Sequence, residues 1–398
     1  VKKLSGFSNH LIVIAFNSSF ASGCDYANHT LAILSQSNIV YGFCLGDPLG
    51  WRDVLSLFRR KAKLIEKIDA FTLFKPFFLI PGQRYKIVQE LNYLLNSVAL
   101  KIYLQQQHST RQRYLWYFEP FHLPGILKIF QNYTSIYDCV DYFPAFSDYA
   151  RDCHRKVLKL SKYVFVNSHV LYRQLQKYRR DTVLVPLGFA ENIFKQSTKE
   201  VKSSKKLKSF TVGFIGGISA RIDFKFLYEV ACQLPNITFV LIGKVEPHVF
   251  GERDTLTDEI EQLRTLPNVS FRECVSKLAI PQVLSSFDVG IIPYNTKNIF
   301  NRYCFPMKSM EYFYMGLPVV TTNITELRRF QDVLFLAENA KQTIKHLQEL
   351  QQRPFSSKKK RLQKQIAIQN SWKQKLKAIT THLLTVTPQL NPATLHSD

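Results

Sequence analysis

The chain has no cysteine pairing pattern. Its seven cysteines are scattered and odd in number, with no Cys-x-x-Cys pair. A zinc ribbon and a thioredoxin-like centre are therefore excluded, and reduced thiols are expected. Long apolar runs are missing as well. The first clear one, Leu11–Phe16, has strand length. It falls far short of the roughly 20 residues that cross a bilayer, and is too short for a signal-peptide core. The expected location is the cytoplasm. Acidic side chains are scarce, with 30 Asp and Glu against 53 Lys and Arg, a formal charge of +23. The excess is +12 in residues 1–200 and +11 in residues 201–398, so no single basic tail explains it. Such a surface favours anionic partners: nucleic acid, anionic lipid or a phosphorylated substrate. No internal repeat is visible, and none of the histidines has metal-ligand spacing. With 46% hydrophobic residues over 398 positions, the chain can build two or three cores.

What is present is an alternation of short apolar runs and helical periodicities. In the second half, Ser209–Ile215, Ile237–Ile242, Val269–Arg272, Val289–Pro293 and Pro318–Thr321 read as buried strands. Phe224–Leu234, Lys277–Ser286 and Met307–Met315 read as helices, the last closed by Gly316 and Pro318. In the first half, Leu11–Phe16, Asn38–Leu45, Tyr114–Phe118, Ser135–Asp138, Tyr163–Asn167 and Val183–Pro186 read as strands. Gln83–Leu100 and Ser147–Leu160 read as helices between them. Strands apolar on both faces and separated by helices predict parallel sheets covered by helices. The expected class is α/β, as two doubly wound Rossmann-like parallel-sheet domains. Residues 195–208 are almost free of apolar side chains and predict a linker. The expected boundaries are an N-terminal domain over 1–194, a C-terminal domain over 209–352, and a basic helix with a tail over 353–398.

The segment Pro267–Leu327 is the most informative. It runs through Pro267-Asn268-Val269, Phe287-Asp288-Val289-Gly290, and Pro293-Tyr294. It ends in Pro306-x-Lys308-x-x-Glu311-Tyr312-x-x-x-Gly316-x-Pro318-Val319-Val320. In order and spacing it resembles the C-terminal half of GT-B glycosyltransferases of the family-4, group 1 type. Val212–Ser219 resembles the first strand and glycine turn of their donor domain. Ile136–Phe146 resembles a segment of members that build cell-surface polysaccharides. The resemblance spans about residues 8–335 and is specific after 209. It implies two domains facing across a cleft, a nucleotide-sugar donor, and a glycan or lipid-linked acceptor. It further implies retention at the anomeric carbon, and a place in the cytoplasm or peripherally on the inner face of the cell membrane.

Departure of a nucleoside diphosphate builds negative charge, which a transferase must neutralise. The chain has no Asp-x-Asp pair, so no metal and no other cofactor is expected. A Gly-rich strand-to-helix turn, with backbone N–H groups and a helix dipole aimed at phosphates, is the alternative device. Gly213-x-x-Gly216-Gly217 fits it, and Gly216 and Gly217 are assigned to donor binding. So are Arg221, which follows in the same turn, and Lys308, three residues before Glu311 on one helix face. Glu311 matches the second glutamate of the family's Glu-x7-Glu motif, suited to a ribose diol. The first glutamate would fall at Tyr303, a departure that puts the handling of the sugar in question and keeps an inactive GT-B partner subunit as an alternative. Asp141, just past a strand end, is the candidate catalytic carboxylate. Each of these residues also has a plain structural reading, as a tight turn, a solvated charge or a cap.

Residues 59–86 place basic clusters around Phe71, Phe74, Phe77, Phe78, Leu79 and Ile80, a pattern suited to an anionic membrane surface. A nucleic-acid-binding protein is the rival class on charge alone. No helix-turn-helix, zinc or RNA-binding aromatic motif supports it, so no nucleic-acid partner is expected.

Overall fold

The computed structural model describes residues 6–18, 20, 25–54, 63–82, 84–107, 112–200, 209–246 and 254–386. The chain divides into two compact units. One holds Val1–Asn167, Tyr172–Val185 and Lys375–Asp398; the other holds Ser168–Leu171 and Pro186–Gln374.

In the first unit, β1 (Leu11–Phe16), β2 (Ile39–Cys44), β3 (Ile65–Ile68), β4 (Phe71–Phe74), β5 (Arg113–Tyr117), β6 (Thr134–Cys139), β7 (Tyr163–Val166) and β8 (Val183–Leu184) form one sheet. Its order is β3-β4-β2-β1-β5-β6-β7-β8. Every pairing is parallel except β3 with β4, an antiparallel edge hairpin. All six residues of β1 are buried, as expected for a central parallel strand covered on both faces. The covering helices include α1 (Asp25–Leu34), α2 (Lys86–Gln107), α3 (Leu123–Ile129) and α4 (Asp148–Leu160).

The chain then runs through α5 (His169–Leu175) and α6 (Glu191–Glu200) into the second unit. Its strands are β9 (Thr211–Ile215), β10 (Ile218–Ser219), β11 (Thr238–Ile242), β12 (Val245–Glu246), β13 (Val269–Arg272), β14 (Val289–Ile292), β15 (Val319–Thr322) and β16 (Phe335–Ala337). Six of them form a wholly parallel sheet in the order β13-β11-β9-β14-β15-β16, and β10 pairs with β12. The helices are α7 (Phe224–Gln233), α8 (Asp254–Arg264), α9 (Ile280–Leu284), α10 (Ile299–Tyr303), α11 (Lys308–Tyr314), α12 (Ala340–Gln352), α13 (Ser357–Gln369) and α14 (Trp372–Val386).

Three expectations are placed differently. The units part at Val185 and Pro186 rather than at 194. Residues 195–200 close α6 instead of opening a linker, because Glu191–Glu200 keeps a helical repeat that buries Phe194; residues 201–208 lie outside the described residues. The basic region from 353 does not leave the second unit at once. Gln363, fully buried on α13, donates to the carbonyls of Leu317 and Val333. Only from Lys375 does the chain belong to the first unit, where Leu376, Ile379 and Leu383 of α14 enter the core. There the buried Lys375 ammonium meets the Asp138 carboxylate at 2.8 Å. The expected tail after 386 lies outside the described residues.

The bilayer-facing reading of 59–86 also changes. Phe71 and Phe74 belong to the edge hairpin, and both are buried, as is Phe78; of the six named apolar side chains only Leu79 is exposed. Strand alternation and sheet pairing consumed the apolar groups that a linear reading put outside. Residues 59–62 and 83 lie outside the described residues.

Candidate functional site

In each sheet the strand order reverses at one place: between β1 and β5 in the first unit, and between β9 and β14 in the second. Doubly wound sheets bind ligands beyond the carboxyl ends of the two strands at such a point. In the second unit those ends are Ile215, followed by Gly216-Gly217, and Ile292, followed by Pro293-Tyr294.

The groups expected from the sequence gather there. Gly216 has φ +133°, and a Cβ on it would lie 3.1 Å from the Lys308 Nζ. A glycine is thus required by backbone conformation, and it leaves room for the ammonium beside it. Lys308 opens α11, and its ammonium lies 4.2 Å from the Phe214 ring centroid. It also donates to the Tyr294 hydroxyl. The Arg221 guanidinium lies 4.5 Å from the centroid of the same Tyr294 ring and 4.9 Å from that of Phe300. Its Nε donates to Asn301 Oδ1 at 3.1 Å, and the Asn301 amide returns a bond to the Arg221 carbonyl at 2.9 Å. The buried Tyr294 ring therefore holds two cations from distant parts of the chain at the end of β14, each worth roughly 0.5–2 kcal/mol as a cation–π contact.

Helix α11 is fixed in register with β9. The Tyr312 hydroxyl, wholly buried, accepts the Ile215 N–H at 3.1 Å. Gly290 in β14 makes room for it, since a Cβ there would lie 2.5 Å from the Tyr312 ring. One residue before Tyr312, and one helical turn after Lys308, stands the half-buried Glu311. Gly216, Lys308 and Arg221 thus meet around Tyr294, and Glu311 shares the helix that carries Lys308.

The phosphate cradle drawn from the sequence differs in two respects. The Gly216 N–H is spent on the Ile242 carbonyl at 2.9 Å. The turn does not lead straight into a helix either: β10 intervenes, and α7 begins only at Phe224, with the Asp223 side chain capping it through the Phe226 N–H. A carboxylate already answers that helix dipole. The cationic groups at this turn are therefore the side chains of Lys308 and Arg221. Gly217 is exposed at the tip of the turn, near Glu246.

Asp141 belongs to the first unit. It lies two residues past β6, and its carbonyl accepts the Phe143 N–H at 3.1 Å. The β1/β5 reversal of that unit carries a different carboxylate. Glu119, two residues past β5, is buried; it accepts the Asn17 N–H at 2.7 Å and the Tyr26 hydroxyl. Burial pushes its carboxyl above the usual range, and those two donors oppose the shift. A glutamate directly after an apolar strand was the available signal. Tyr294 and Asn301 were also missed as site residues, although Tyr294 ends a quoted strand. Among the described residues, no three His, Cys, Asp or Glu side chains cluster as metal ligands do.

Residues 209–353 match the family model described as glycosyl transferases group 1. A Bacillus subtilis (strain 168) protein named "Putative teichuronic acid biosynthesis glycosyltransferase TuaH" is 27% identical over 237 residues, covering 54% of this chain and 57% of that one. Sucrose-phosphate synthase from Thermosynechococcus elongatus superposes with a TM-score of 0.71 at 12% identity, covering 95% of this chain and 98% of that one. Anabaena HepE, solved with UDP and glucose, gives 0.66 at 15% identity, covering 94% and 99%. These likenesses establish the GT-B fold.

Proposed function

We propose, with residues 209–353 taken as a group 1 glycosyltransferase domain on a GT-B fold, that the chain moves a sugar from a nucleotide-sugar to a cell-surface polysaccharide precursor, free or lipid-linked. The observation that carries this reading is the meeting of Lys308 and Arg221 on Tyr294 at the β9/β14 reversal. Two cations there suit the diphosphate of a donor. As the glycosidic bond to the diphosphate breaks, the charge on the leaving oxygens grows. Fixed ammonium and guanidinium groups stabilise that growth more than they stabilise the ground state. Glu311 is assigned to the ribose hydroxyls, and the Gly216-Gly217 turn to close backbone approach. HepE was solved with UDP, so uridine nucleotides are the first donors to test.

The acceptor class follows the name of the Bacillus relative and the net positive charge. Retention and independence from a metal ion complete the proposal, with Asp141 as the candidate catalytic carboxylate. An anionic inner membrane face is the proposed place of work. Among the described residues no helix is long and apolar enough to cross a membrane.

The test is a thermal-shift panel of nucleoside diphosphates and their sugar conjugates, repeated with EDTA. Stabilisation by one nucleoside diphosphate but not by its free nucleoside, unchanged by EDTA, is expected. No shift with any of them, together with salt-sensitive duplex binding, would replace the enzyme by the nucleic-acid class.

A further inference from the structure

Helix α2 is apolar on two faces. Its inward face carries Tyr93, Leu100 and Leu104 and, beside them, Asn92, Asn96 and Ser97, all buried. The two asparagines tie down the preceding chain: Asn96 exchanges bonds with both the N–H and the carbonyl of Phe77 at 2.8 Å, and Asn92 does the same with Ile80 at 2.9 Å. The outward face carries Ile87, Leu91, Leu95, Val98 and Ile102, exposed by 71%, 45%, 46%, 41% and 50%. At 1.5 Å per residue this stripe is about 22 Å long. A surface helix of a water-soluble unit keeps charged and polar side chains on its outward face, and a contiguous apolar patch there marks an interaction surface. Trp51 is also exposed, its indole donating at 3.0 Å to the carbonyl of Leu79, the residue before the Ile80 that Asn92 holds.

The charges beside the stripe have one sign. Arg84 and Lys86 at its N-terminal end are basic, and the sole acid of α2, Glu90, turns to Tyr149 at 2.6 Å and His122 at 2.9 Å. On the far flank lies a cavity of about 380 Å³ lined by Gly125, Lys128, Lys156, Lys159 and Leu160. It joins α2 directly: Gly125 packs on Leu94, and the Lys101 ammonium donates to the Ile129 carbonyl at 2.6 Å. Lys156 there is paired with Asp152 at 2.7 Å.

We infer that the α2 face is where this protein lies on an anionic phospholipid bilayer. The stripe sits in the interface parallel to its plane, Trp51 sits at headgroup depth, and Lys128 and Lys159 receive headgroup phosphates. Charge complementarity favours a bilayer over a second copy of the chain, since basic residues border the stripe and its one acid is engaged inward. The inference deepens the membrane-facing part of the proposed function. It moves the contact from 59–86 to α2 and needs no donor chemistry.

The experiment is flotation of the purified chain with phosphatidylglycerol–phosphatidylcholine vesicles and with pure phosphatidylcholine vesicles, followed by tryptophan emission. Of the three tryptophans, Trp116 and Trp372 are buried, so a blue shift on the anionic vesicles reports Trp51. Strong binding to the anionic vesicles only is expected. Leu91→Gln with Leu95→Gln should reduce partitioning by at least about tenfold. Lys128→Gln with Lys159→Gln should remove the preference for anionic lipid. UDP stabilisation should persist in both variants, which separates failure of this inference from failure of the donor reading. Wild-type-like flotation of the leucine variant overturns the proposal. So does a wild type that ignores vesicles but forms a dimer by light scattering that the leucine variant cannot form; a second copy would then cover the stripe.

Discussion

Replacing Lys308 by methionine is the sharpest test of the second unit. Methionine keeps most of the stem that lies against Phe214 and removes only the ammonium and its bond to Tyr294. A hydrogen bond to a charged group contributes about 1.5–3 kcal/mol when desolvated. Lys308 is half-buried, so solvent screening places the loss in the lower half of that range, or about tenfold to thirtyfold in affinity. Loss of the ring contacts should lower folding stability by about 0.5–2 kcal/mol. The assay is calorimetric titration with UDP and, in parallel, with uridine. The expected result is a UDP Kd raised by about tenfold to thirtyfold, with a shallower salt dependence and unchanged affinity for uridine. If UDP and uridine weaken together, Lys308 props the turn rather than binding phosphate. If neither changes, the diphosphate lies elsewhere and the site fails.

Glu311→Ala should erase discrimination between UDP and 2′-deoxy-UDP, at a cost of about tenfold or more in UDP affinity; a variant that still prefers the ribonucleotide refutes the ribose assignment. Arg221→Lys keeps a charge but loses the planar contact with Tyr294 and the bond to Asn301. Turnover should fall by about tenfold, and full activity in initial-rate assays would mean that charge alone suffices. Tyr312→Phe orphans the buried Ile215 N–H and should cost about 1–3 kcal/mol in urea unfolding, with a parallel loss of UDP affinity because Ile215 adjoins Gly216. His154 is buried on α4 against the Tyr137 hydroxyl, and burial lowers its pKa from 6.5 to about 4. Below pH 6.5 the unfolded chain takes up a proton that the folded one refuses, so stability falls until about pH 4. Between pH 7 and 5 the loss is about 2 kcal/mol. His154→Gln should remove that part of the pH dependence, and an unchanged slope of unfolding free energy against pH would contradict it.

The core strands and the site were legible for the same reason. Leu11–Phe16 and Thr211–Ile215 are buried on both faces, so their composition leaves no competing reading. Likewise Lys308 and Glu311 fall on one short helix, and Gly316 at φ +66° follows its C-cap as the Gly-x-Pro spacing predicts. Contacts that depend on distant chain were not legible. Nothing near Arg221 in sequence says that its guanidinium will rest on Tyr294 and Phe300. The boundary was placed at 194 because residues 195–208 are polar enough to pass for a linker, although residues 195–200 close the helix that buries Phe194.

Helix α2 was legible as a helix over Gln83–Leu100, but the direction of its faces was not. Periodicity locates an apolar stripe on a cylinder but does not say which way it faces. The usual assumption is that the stripe faces the core. Here the inward face pairs buried Tyr93, Leu100 and Leu104 with Asn92 and Asn96, whose amides satisfy the backbone of Phe77 and Ile80. Turning the stripe inward would orphan those four backbone groups and strand two buried amides, each at a cost of about 1–3 kcal/mol. The side that joins these amides to Tyr93, Leu100 and Leu104 thus has the stronger claim on the interior. The exposed stripe is left to solvent or to a surface that water does not wet.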